Sequence, residues 1–315
     1  MTSNFKNMKN LFKLSFAFLL IGTMSFVSSC EDDATDIAPK SIVETALNDP
    51  QFSTLVAALT KADLVSVLQG DGPFTVFAPT NDAFASLLSD LGVNSLDELS
   101  KEALTPILLN HVISGEFRST ALATGYVPTA SNTGPNNNIL DLYIKVAGGV
   151  SINKDINVTT ADVLASNGVI HVVNKVILPT DVVDIAINNE NFTSLVGALG
   201  DADGDLVTVL KGDGPFTVFA PLNSAFEAIA TTVEGLSSAQ LADVLKYHVV
   251  SGANVLSSDL TDGMQVTTLS GVFTVNISGS TVTLTDESGA TVNVVATDVQ
   301  GTNGVVHVID KVLLK

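Results

Sequence analysis

The chain contains few cysteines, few aromatic residues and few positive charges. Its 315 residues include one cysteine, no tryptophan, three tyrosines and 14 lysines plus arginines, against 33 acidic residues. A single cysteine excludes an intrachain disulfide framework, so each domain must be stabilised by burial of its own core. The absence of tryptophan leaves no aromatic platform for sugars, and carbohydrate binding therefore has no support in the sequence.

The charge balance limits the class of partner. The formal net charge is −19, and Arg118 is the only arginine. With no basic patch to neutralise phosphates, we expect no nucleic-acid binding and no direct adsorption to anionic headgroups. The acidity either provides solubility alone or favours bridging through divalent cations.

The N-terminus has the pattern of an export signal. Three lysines precede an apolar run over residues 14–27, which is short for a membrane span and ends in Val-Ser-Ser-Cys at Cys30. This tetrapeptide resembles the bacterial lipoprotein signal, in which the cysteine becomes the lipidated first residue. We therefore predict a lipoprotein signal peptide over residues 1–29 and a membrane anchor at Cys30. The alternative is an ordinary secreted protein.

An acidic tether is predicted over residues 30–38. Three acidic residues, 31–33, follow the cysteine directly, and the rest of the segment is short and polar. The acidic run resembles the signal that directs lipoproteins of the Bacteroidota to the outer face of the outer membrane. This resemblance implies a lipid-anchored protein of the outer membrane, exposed at the cell surface. A plain solvated spacer is the alternative.

Three phrases occur twice in the same order, which identifies an internal repeat. A ten-residue phrase, Gly-Asp-Gly-Pro-Phe-Thr-Val-Phe-Ala-Pro, starts both sets; a His-Val-x-Ser-Gly phrase and an Asn-Gly-Val-x-His-Val phrase follow. The repeated landmarks are Gly70 and Gly212, His111 and His248, and His171 and His307. A period near 137 residues is the size of an independent domain. We predict two tandem domains, over residues 39–179 and 180–315.

Each repeat is predicted to begin with helices. Apolar residues recur at helical spacing over residues 41–48 and 52–68. The segment 74–78 is predicted to be a strand that ends at Pro79, after which Asn81 caps a helix; Asn223 has the same place in the second repeat. The helix before each middle histidine is predicted to start in a capping box, formed by the following pairs: Ser95 with Glu98, and Ser237 with Gln240.

The last part of each repeat is predicted to be rich in strands. In the second repeat, residues 272–284 alternate about a Gly279-Ser280 turn, and strands over 291–299 and 305–314 follow. Helices and hairpins are mixed rather than strictly alternating. This pattern predicts an α+β fold rather than a doubly wound parallel sheet.

The repeated phrases resemble the three signatures of fasciclin (FAS1) domains, and the resemblance covers residues 39–315 in two copies. It implies that each copy is a compact β-wedge with several helices. The first copy departs from the family at Asn110, where a tyrosine is common, whereas the second copy keeps Tyr247. The family further implies extracellular adhesion without catalysis, through binding to proteins, to matrix polymers or to other copies.

The residues themselves contain no recognised catalytic pattern. The four histidines, His111, His171, His248 and His307, all lie in repeated phrases, and none stands at a metal-ligand spacing from another or beside a nucleophile. We predict a structural role, in which each ring bonds the main chain while partly buried. Since nucleophile-elbow, phosphate-loop and dinucleotide motifs are also absent, we expect neither an enzyme nor a bound cofactor.

Two segments are candidates for binding. Asp201, Asp203 and Asp205 alternate in an insertion of the second repeat and could provide oxygen ligands for calcium, although a solvated acidic turn also fits. Asn153–Ile156 resembles an integrin-recognition segment of animal fasciclin proteins. It also suits a simple turn between two strands.

The sequence thus predicts a surface lipoprotein that mediates attachment through tandem domains, with avidity supplying its strength. The partner, whether a protein, a polysaccharide or a second copy through self-association, is not identified by any motif. The alternative is an envelope carrier with an apolar cleft for a hydrophobic small molecule.

Overall fold

Residues 39–315 are described by a computed structural model. The predicted signal peptide over 1–29, the lipidation site at Cys30 and the tether over 30–38 lie outside the described residues. Within residues 39–315, no helix has the length and apolarity needed to cross a membrane.

The first repeat has five helices and seven strands among the described residues. Its helices are α1 Ile42–Leu47, α2 Ser53–Lys61, α3 Val65–Leu68, α4 Asn81–Asp90 and α5 Lys101–Leu109. Its strands are β1 Phe74–Pro79, β2 Val112–Ser114, β3 Gly125–Pro128, β4 Asp141–Lys145, β5 Ser151–Ile152, β6 Ile156–Ala165 and β7 Gly168–Val173.

The second repeat has the same succession with one additional short helix. Its helices are α6 Val182–Ile187, α7 Thr193–Asp201, α8 Leu206–Leu210, α9 Asn223–Glu227, α10 Ala230–Glu234 and α11 Ser238–Lys246. Its strands are β8 Phe216–Pro221, β9 Val249–Ser251, β10 Gln265–Thr267, β11 Val272–Ser278, β12 Thr281–Thr285, β13 Thr291–Gly301 and β14 Gly304–Ile309.

Each repeat builds one seven-stranded sheet with the same topology. The order is β2-β1-β7-β6-β5-β4-β3 in the first repeat and β9-β8-β14-β13-β12-β11-β10 in the second. Only the central pairs, β1 with β7 and β8 with β14, are parallel, and the other neighbours are antiparallel. The mixed sheet with separate helices confirms the predicted α+β fold.

The repeated ten-residue phrase supplies the centre of each core. Successive side chains of a strand point to opposite faces of the sheet. Val76 and Ala78 therefore pack with helices α1–α5, whereas Phe77 faces the cluster inside the curved sheet. Phe77 and its counterpart Phe219 are each 1% exposed or less. One phrase thus joins two apolar clusters in each repeat.

Most predicted strands are confirmed, including the strand from Phe74 and the hairpin of β11 and β12 about Gly279-Ser280. The predicted single helix over 52–68 is wrong. The chain forms α2, leaves helical geometry at Asp63, where φ is +56°, and resumes in α3. The apolar spacing continues through the break because both short helices bury the same side, so periodicity alone does not locate it.

Two predicted helix starts also differ from the structure. Helix α4 is capped by Thr80, whose hydroxyl accepts from the Ala83 N–H at 3.3 Å, rather than by Asn81. In the first repeat α5 starts after Ser100, while Ser95 precedes a short 3₁₀ turn. The Ser237–Gln240 capping box is confirmed.

Candidate functional site

The middle histidines lie at the end of a helix and hold the last segment of each repeat. His111 Nδ1 donates to the Ile107 carbonyl at 2.7 Å, and its Nε2 accepts from the Ile177 N–H at 2.8 Å. His248 makes the equivalent bonds in the second repeat, to Val244 at 2.8 Å and from Leu313 at 2.9 Å. Each ring therefore ties a helix to a segment 65 or 66 residues away.

The later histidines lie in the central strands β7 and β14. His171 Nε2 donates to the Phe117 carbonyl at 2.9 Å, and its Nδ1 accepts from the Asp162 N–H at 3.2 Å. His307 repeats the pattern with Val255 at 2.9 Å and Asp298 at 3.3 Å. Each ring also stacks on a phenylalanine, with ring centroids 5.5 Å apart in the first repeat and 5.2 Å in the second.

All four rings are neutral and fully engaged. Each donates from one nitrogen and accepts at the other, which is the pattern of an uncharged imidazole. Burial lowers the pKa of His111 and of His248 to about 4, and it also lowers the pKa of His307. Because both nitrogens are bonded to the main chain, no ring has an atom left for a substrate or a metal.

The asparagine that begins the last repeated phrase was not singled out from the sequence. Asn167 Nδ2 donates to the carbonyls of Leu68 and Gly70 at 2.8 and 2.9 Å, and its Oδ1 accepts from the Ile42 N–H at 2.9 Å. Asn303 makes the matching set of bonds in the second repeat. The exact repetition of the Asn-Gly pair was the available signal for this role.

The first repeat differs from the second at the helix end where the family resemblance departs. Tyr247 is fully buried, its hydroxyl donates to the Val272 carbonyl at 3.0 Å, and it accepts from the Glu287 N–H at 3.1 Å. Asn110 Nδ2 donates to the Leu178 carbonyl at 3.2 Å, but its buried Oδ1 has no hydrogen-bond partner. The tyrosine contacts therefore exist in the second repeat alone.

The calcium candidates are not arranged as a ligand set. Asp201 ends α7, Asp203 lies in the following turn, and Asp205 precedes α8 in the left-handed conformation with φ of +47°. All three are exposed in the turn or at its edge, and the part of the chain that the structure describes has no group of three or more His, Cys, Asp or Glu placed to hold a metal ion. The geometry fits a solvated acidic turn.

Residues 153–156 connect two strands. Asn153 and Lys154 both have positive φ, +45° and +68°, between β5 and β6. The Asn153 side chain is buried and accepts from the Tyr143 N–H at 3.0 Å. This is the turn that the sequence offered as the alternative to an integrin-recognition segment.

A contact between the two repeats joins β3 and β4 of the first to the second. The Tyr126 hydroxyl accepts from Asn189 Nδ2 at 2.9 Å, and the tyrosine ring packs against the helical core of the second repeat. Asp141 Oδ2 accepts from the Gln300 N–H at 2.8 Å. The Lys145–Glu190 ion pair lies at 2.5 Å on the exposed side. Aromatic, neutral polar and charged groups thus all contribute.

The enclosed apolar cavities are small, and two larger grooves are open. The cavity between the helices and sheet of the second repeat has a volume of about 30 Å³, and its counterpart in the first repeat about 20 Å³. Each is about large enough for one water molecule. A groove of about 410 Å³ lies beside β2 and β3 of the first repeat. The other groove, of about 340 Å³, lies among helices α7, α9, α10 and α11 of the second repeat and is lined in part by three carboxylates, those of Asp201, Glu227 and Glu234.

Comparison with known proteins gives a family match for most of the chain. The model of the fasciclin domain matches residues 50–179 and 190–315. Protein sll1483 of Synechocystis is 46% identical over 147 residues, which cover 46% of this chain and 77% of that protein.

Animal relatives match both repeats. The transforming growth factor-beta-induced protein ig-h3 of Sus scrofa is 31% identical over 253 residues, covering 78% of this chain and 35% of that protein. Human periostin is 30% identical over 254 residues, covering 78% and 29% respectively. This chain thus spans about a third of the length of these two proteins.

Among solved structures, a FAS1 domain pair from the insect cell adhesion molecule Fasciclin I matches with a TM-score of 0.49 and 19% identity. That match covers 87% of this chain and 96% of the other.

Proposed function

The chain belongs to the fasciclin family, and from that premise we propose that it is a surface attachment protein, which binds another cell or an extracellular polymer without catalysing a reaction. Fasciclin repeats act as binding modules, and both repeats of this chain have the complete framework of phrases. The four histidines are the residues best suited to acid–base chemistry, and the ring nitrogens of all four form hydrogen bonds to the main chain. Binding is therefore the role that the geometry supports best.

The observation that carries the proposal is the contact between the repeats. Tyr126, Asp141 and Lys145 bond directly to residues of the second repeat, so the two modules are held at a fixed spacing. Two weak sites at a fixed spacing bind a repeating or multivalent surface far better than either site alone. Attachment through avidity needs no deep high-affinity pocket.

We further propose that a lipid at Cys30 anchors the protein to the outer membrane, with the repeats on the cell surface. The support is the signal sequence that precedes Cys30 and the acidic run that follows it. Substitution Cys30→Ala is expected to move the protein from the membrane fraction to the soluble fraction. An unchanged membrane fraction would argue against the anchor.

Clustering of beads that carry residues 31–315 through an N-terminal tether tests attachment directly. Beads are compared alone, with polymer extracted from the producing cells, and with or without calcium. Clustering under any of these conditions supports attachment, and clustering with the protein alone identifies self-association. Dispersed beads under every condition would refute the proposal.

A calcium requirement is resolved by one additional variant. One variant combines the substitutions Asp201→Asn, Asp203→Asn and Asp205→Asn. It removes the negative charges of the turn and leaves the repeated phrases unchanged. Loss of calcium-dependent clustering in this variant would assign the effect to the turn. Retention would assign it to bridging by the general negative charge of the surface.

A carrier role is the second candidate, and one feature favours it. Sites for small molecules have volumes of about 300–1,000 Å³, which excludes the enclosed cavities of about 30 and 20 Å³. Both open grooves, at about 410 and 340 Å³, fall within that range, but only the groove of the first repeat has no charged residue in its lining.

A further inference from the structure

The groove of the first repeat lies between the two edges of one sheet. Strands β2 and β3 are the outermost strands, and the sheet curves until their ends meet. The Ala130 N–H donates to the Val112 carbonyl at 2.8 Å and joins the edges at one end. Beyond that bond β2 and β3 are not paired within the described sheet, and the groove opens between them.

The walls of the groove are apolar and uncharged. Ile113 and Leu122 are at least nine-tenths buried and provide apolar surface within it, while Phe117 and Ile139 are 39% and 50% exposed. Among the described residues that line it, none is charged. In a chain with 33 acidic residues, an uncharged concave surface of this size is a marked local departure from the average composition.

The polar atoms of the groove are largely used by the fold. The Thr129 hydroxyl donates to the Leu140 carbonyl at 2.9 Å and accepts from the Ser131 N–H at 3.1 Å. The Thr124 hydroxyl accepts from the Val146 N–H at 3.1 Å. A ligand therefore meets mainly carbon surface, with little left to pair with a charge.

The second repeat has the same framework but a charged surface at this place. Asp262 occupies the position of Thr124, because its carboxylate accepts the matching bond from the Ile277 N–H at 2.8 Å. Asp259 stands two residues after Ser257, as Ala121 stands two residues after Ser119, and both serines bond an equivalent aspartate. Two carboxylates thus replace two uncharged groove residues.

An insertion completes the groove in the first repeat alone. The Thr129 N–H donates to the Leu140 carbonyl, and the Thr268 N–H makes the same bond to Gly271. Ten residues lie between Ala130 and Ile139 inclusive, against two residues in the second repeat, and Ile139 lines the groove. The groove is therefore a property of one repeat rather than of the shared fold.

We propose that this groove binds a neutral, predominantly apolar small molecule. The volume of about 410 Å³ is that of a small-molecule site, and the uncharged lining would leave a charged ligand without a partner. This site is separate from the avidity mechanism of attachment, so the two proposals are tested by different measurements.

Titration with diphenylhexatriene, a neutral apolar fluorophore that is dark in water, tests the site on residues 31–315. One bound molecule per chain is expected. Thr124→Asp introduces the carboxylate of the second repeat and keeps an acceptor for the Val146 N–H, so the fold is preserved. This variant and Ala121→Asp are each expected to weaken binding about tenfold or more, because a desolvated charge then faces the apolar ligand.

Two further variants separate a local effect from a general effect of charge. Ile139→Ser removes apolar surface at the rim, where the side chain is half exposed, and is expected to weaken binding severalfold. Val295→Asp adds the same charge at a strand position that is 53% exposed and outside the groove, and is expected to leave binding unchanged.

No binding, two molecules per chain, or equal affinity in wild type and Thr124→Asp would overturn the proposal. Bead clustering of the same variants is measured in parallel. Clustering that persists without fluorophore binding leaves attachment supported and rejects the groove. Fluorophore binding without clustering supports the groove and rejects attachment.

Discussion

At the scale of single residues, the buried histidines act as neutral connectors. His111 and His248 each accept an N–H from the C-terminal segment of their repeat while donating to the preceding helix. Protonation would place a hydrogen on the accepting nitrogen and break that bond inside the core. Their lowered pKa values express the free-energy cost of this event.

The lowered pKa values of the histidines predict that the folded protein loses stability in acid. The pKa of His248 rises from about 4 in the folded chain to an ordinary 6.5 on unfolding, so its contribution is complete above pH 6.5 and is lost as the pH falls toward 4. The loss amounts to about 3 kcal/mol per ring. We expect His248→Gln to be less stable than wild type at pH 7 by about 1–3 kcal/mol.

Urea unfolding at several pH values provides the measurement. The difference in unfolding free energy between His248→Gln and wild type should shrink from pH 7 to pH 4, since glutamine does not titrate. Parallel pH curves for the two proteins would contradict a buried neutral imidazole.

A second pair of residues explains why the first repeat lacks the tyrosine. A Cβ built on Gly271 would lie 2.8 Å from Tyr247 Cε2, so the ring needs a glycine there. Hydrogen bonding places Leu140 at the equivalent position of the first repeat, where it is 1% exposed. We infer that Leu140 fills the volume that the tyrosine ring occupies in the other repeat, and that the smaller Asn110 leaves room for it.

This exchange predicts strong coupling between Asn110 and Leu140. Asn110→Tyr alone is expected to cost about 1–3 kcal/mol through overpacking, and Leu140→Gly alone about 3–5 kcal/mol through a cavity and a freer backbone. The double variant should recover about 1–3 kcal/mol relative to the sum. A double-mutant cycle in urea measures the coupling, and additive free energies would count against the exchange.

At the scale of elements, one asparagine caps a helix that is distant in sequence. Asn223 Oδ1 accepts from the Ser194 N–H in the first turn of α7 at 2.9 Å, and Nδ2 donates to the Glu190 carbonyl at 2.8 Å. Asn81 makes the same bonds to the start of α2. The residue predicted to cap its own helix thus caps the neighbouring one.

Removal of this cap has a defined cost. Asn223→Ala is expected to destabilise the protein by about 1–2 kcal/mol, because the Ser194 N–H and the Glu190 carbonyl both lose a partner. Asn223→Asp keeps the acceptor and should lose less. Thermal unfolding of the two variants measures the difference, and equal melting temperatures would rule out the capping role.

These elements show how far the sequence predicts the fold. Strand alternation and turn residues predicted the central strand from Phe74 and the hairpin about Gly279, because both are local signals. The capping of α2 by Asn81 and the break between helices at Asp63 depend on contacts between elements. A local sequence pattern does not contain this information. A capping-box spacing also occurs at Ser95, yet the helix starts later, after Ser100.

The sequence did not predict the groove of the first repeat, for a different reason. The two histidine phrases lie 60 residues apart in the first repeat and 59 in the second, which suggests loops of equal length. Hydrogen bonding shows eight extra residues before Leu140 instead, offset by shorter turns elsewhere in the first repeat. Insertions that cancel leave no trace in a spacing, so the first-repeat groove was not predicted.

At the scale of the whole molecule, the contact between the repeats contains a carboxylate whose charged form is destabilised by its surroundings. Asp141 accepts from the Gln300 N–H, but burial between the repeats, and secondarily the charge of Asp298, raises its pKa to about 6. A raised pKa means that the folded chain binds the proton more tightly than the unfolded chain. Ionisation of Asp141 therefore destabilises the folded chain at this contact.

The sign of this effect is opposite to that of the histidines. The contact is strongest at low pH and loses stability as the pH rises from 3.8 to about 6, by about 2–3 kcal/mol in total. Asp141→Asn keeps an oxygen acceptor for the Gln300 N–H and cannot ionise. We expect this variant to be more stable than wild type at pH 7.5 and equal to it near pH 4.

Unfolding of wild type, Asp141→Asn and the control Asp203→Asn across this pH range tests the prediction. Asp203→Asn removes the same charge from an exposed turn, away from the contact between the repeats, and serves as the charge control. A gain for Asp141→Asn that matches the control would mean that the carboxylate is not desolvated between the repeats. A larger gain confined to the higher pH values would mean that the chain retains a destabilising negative charge in the contact between its repeats.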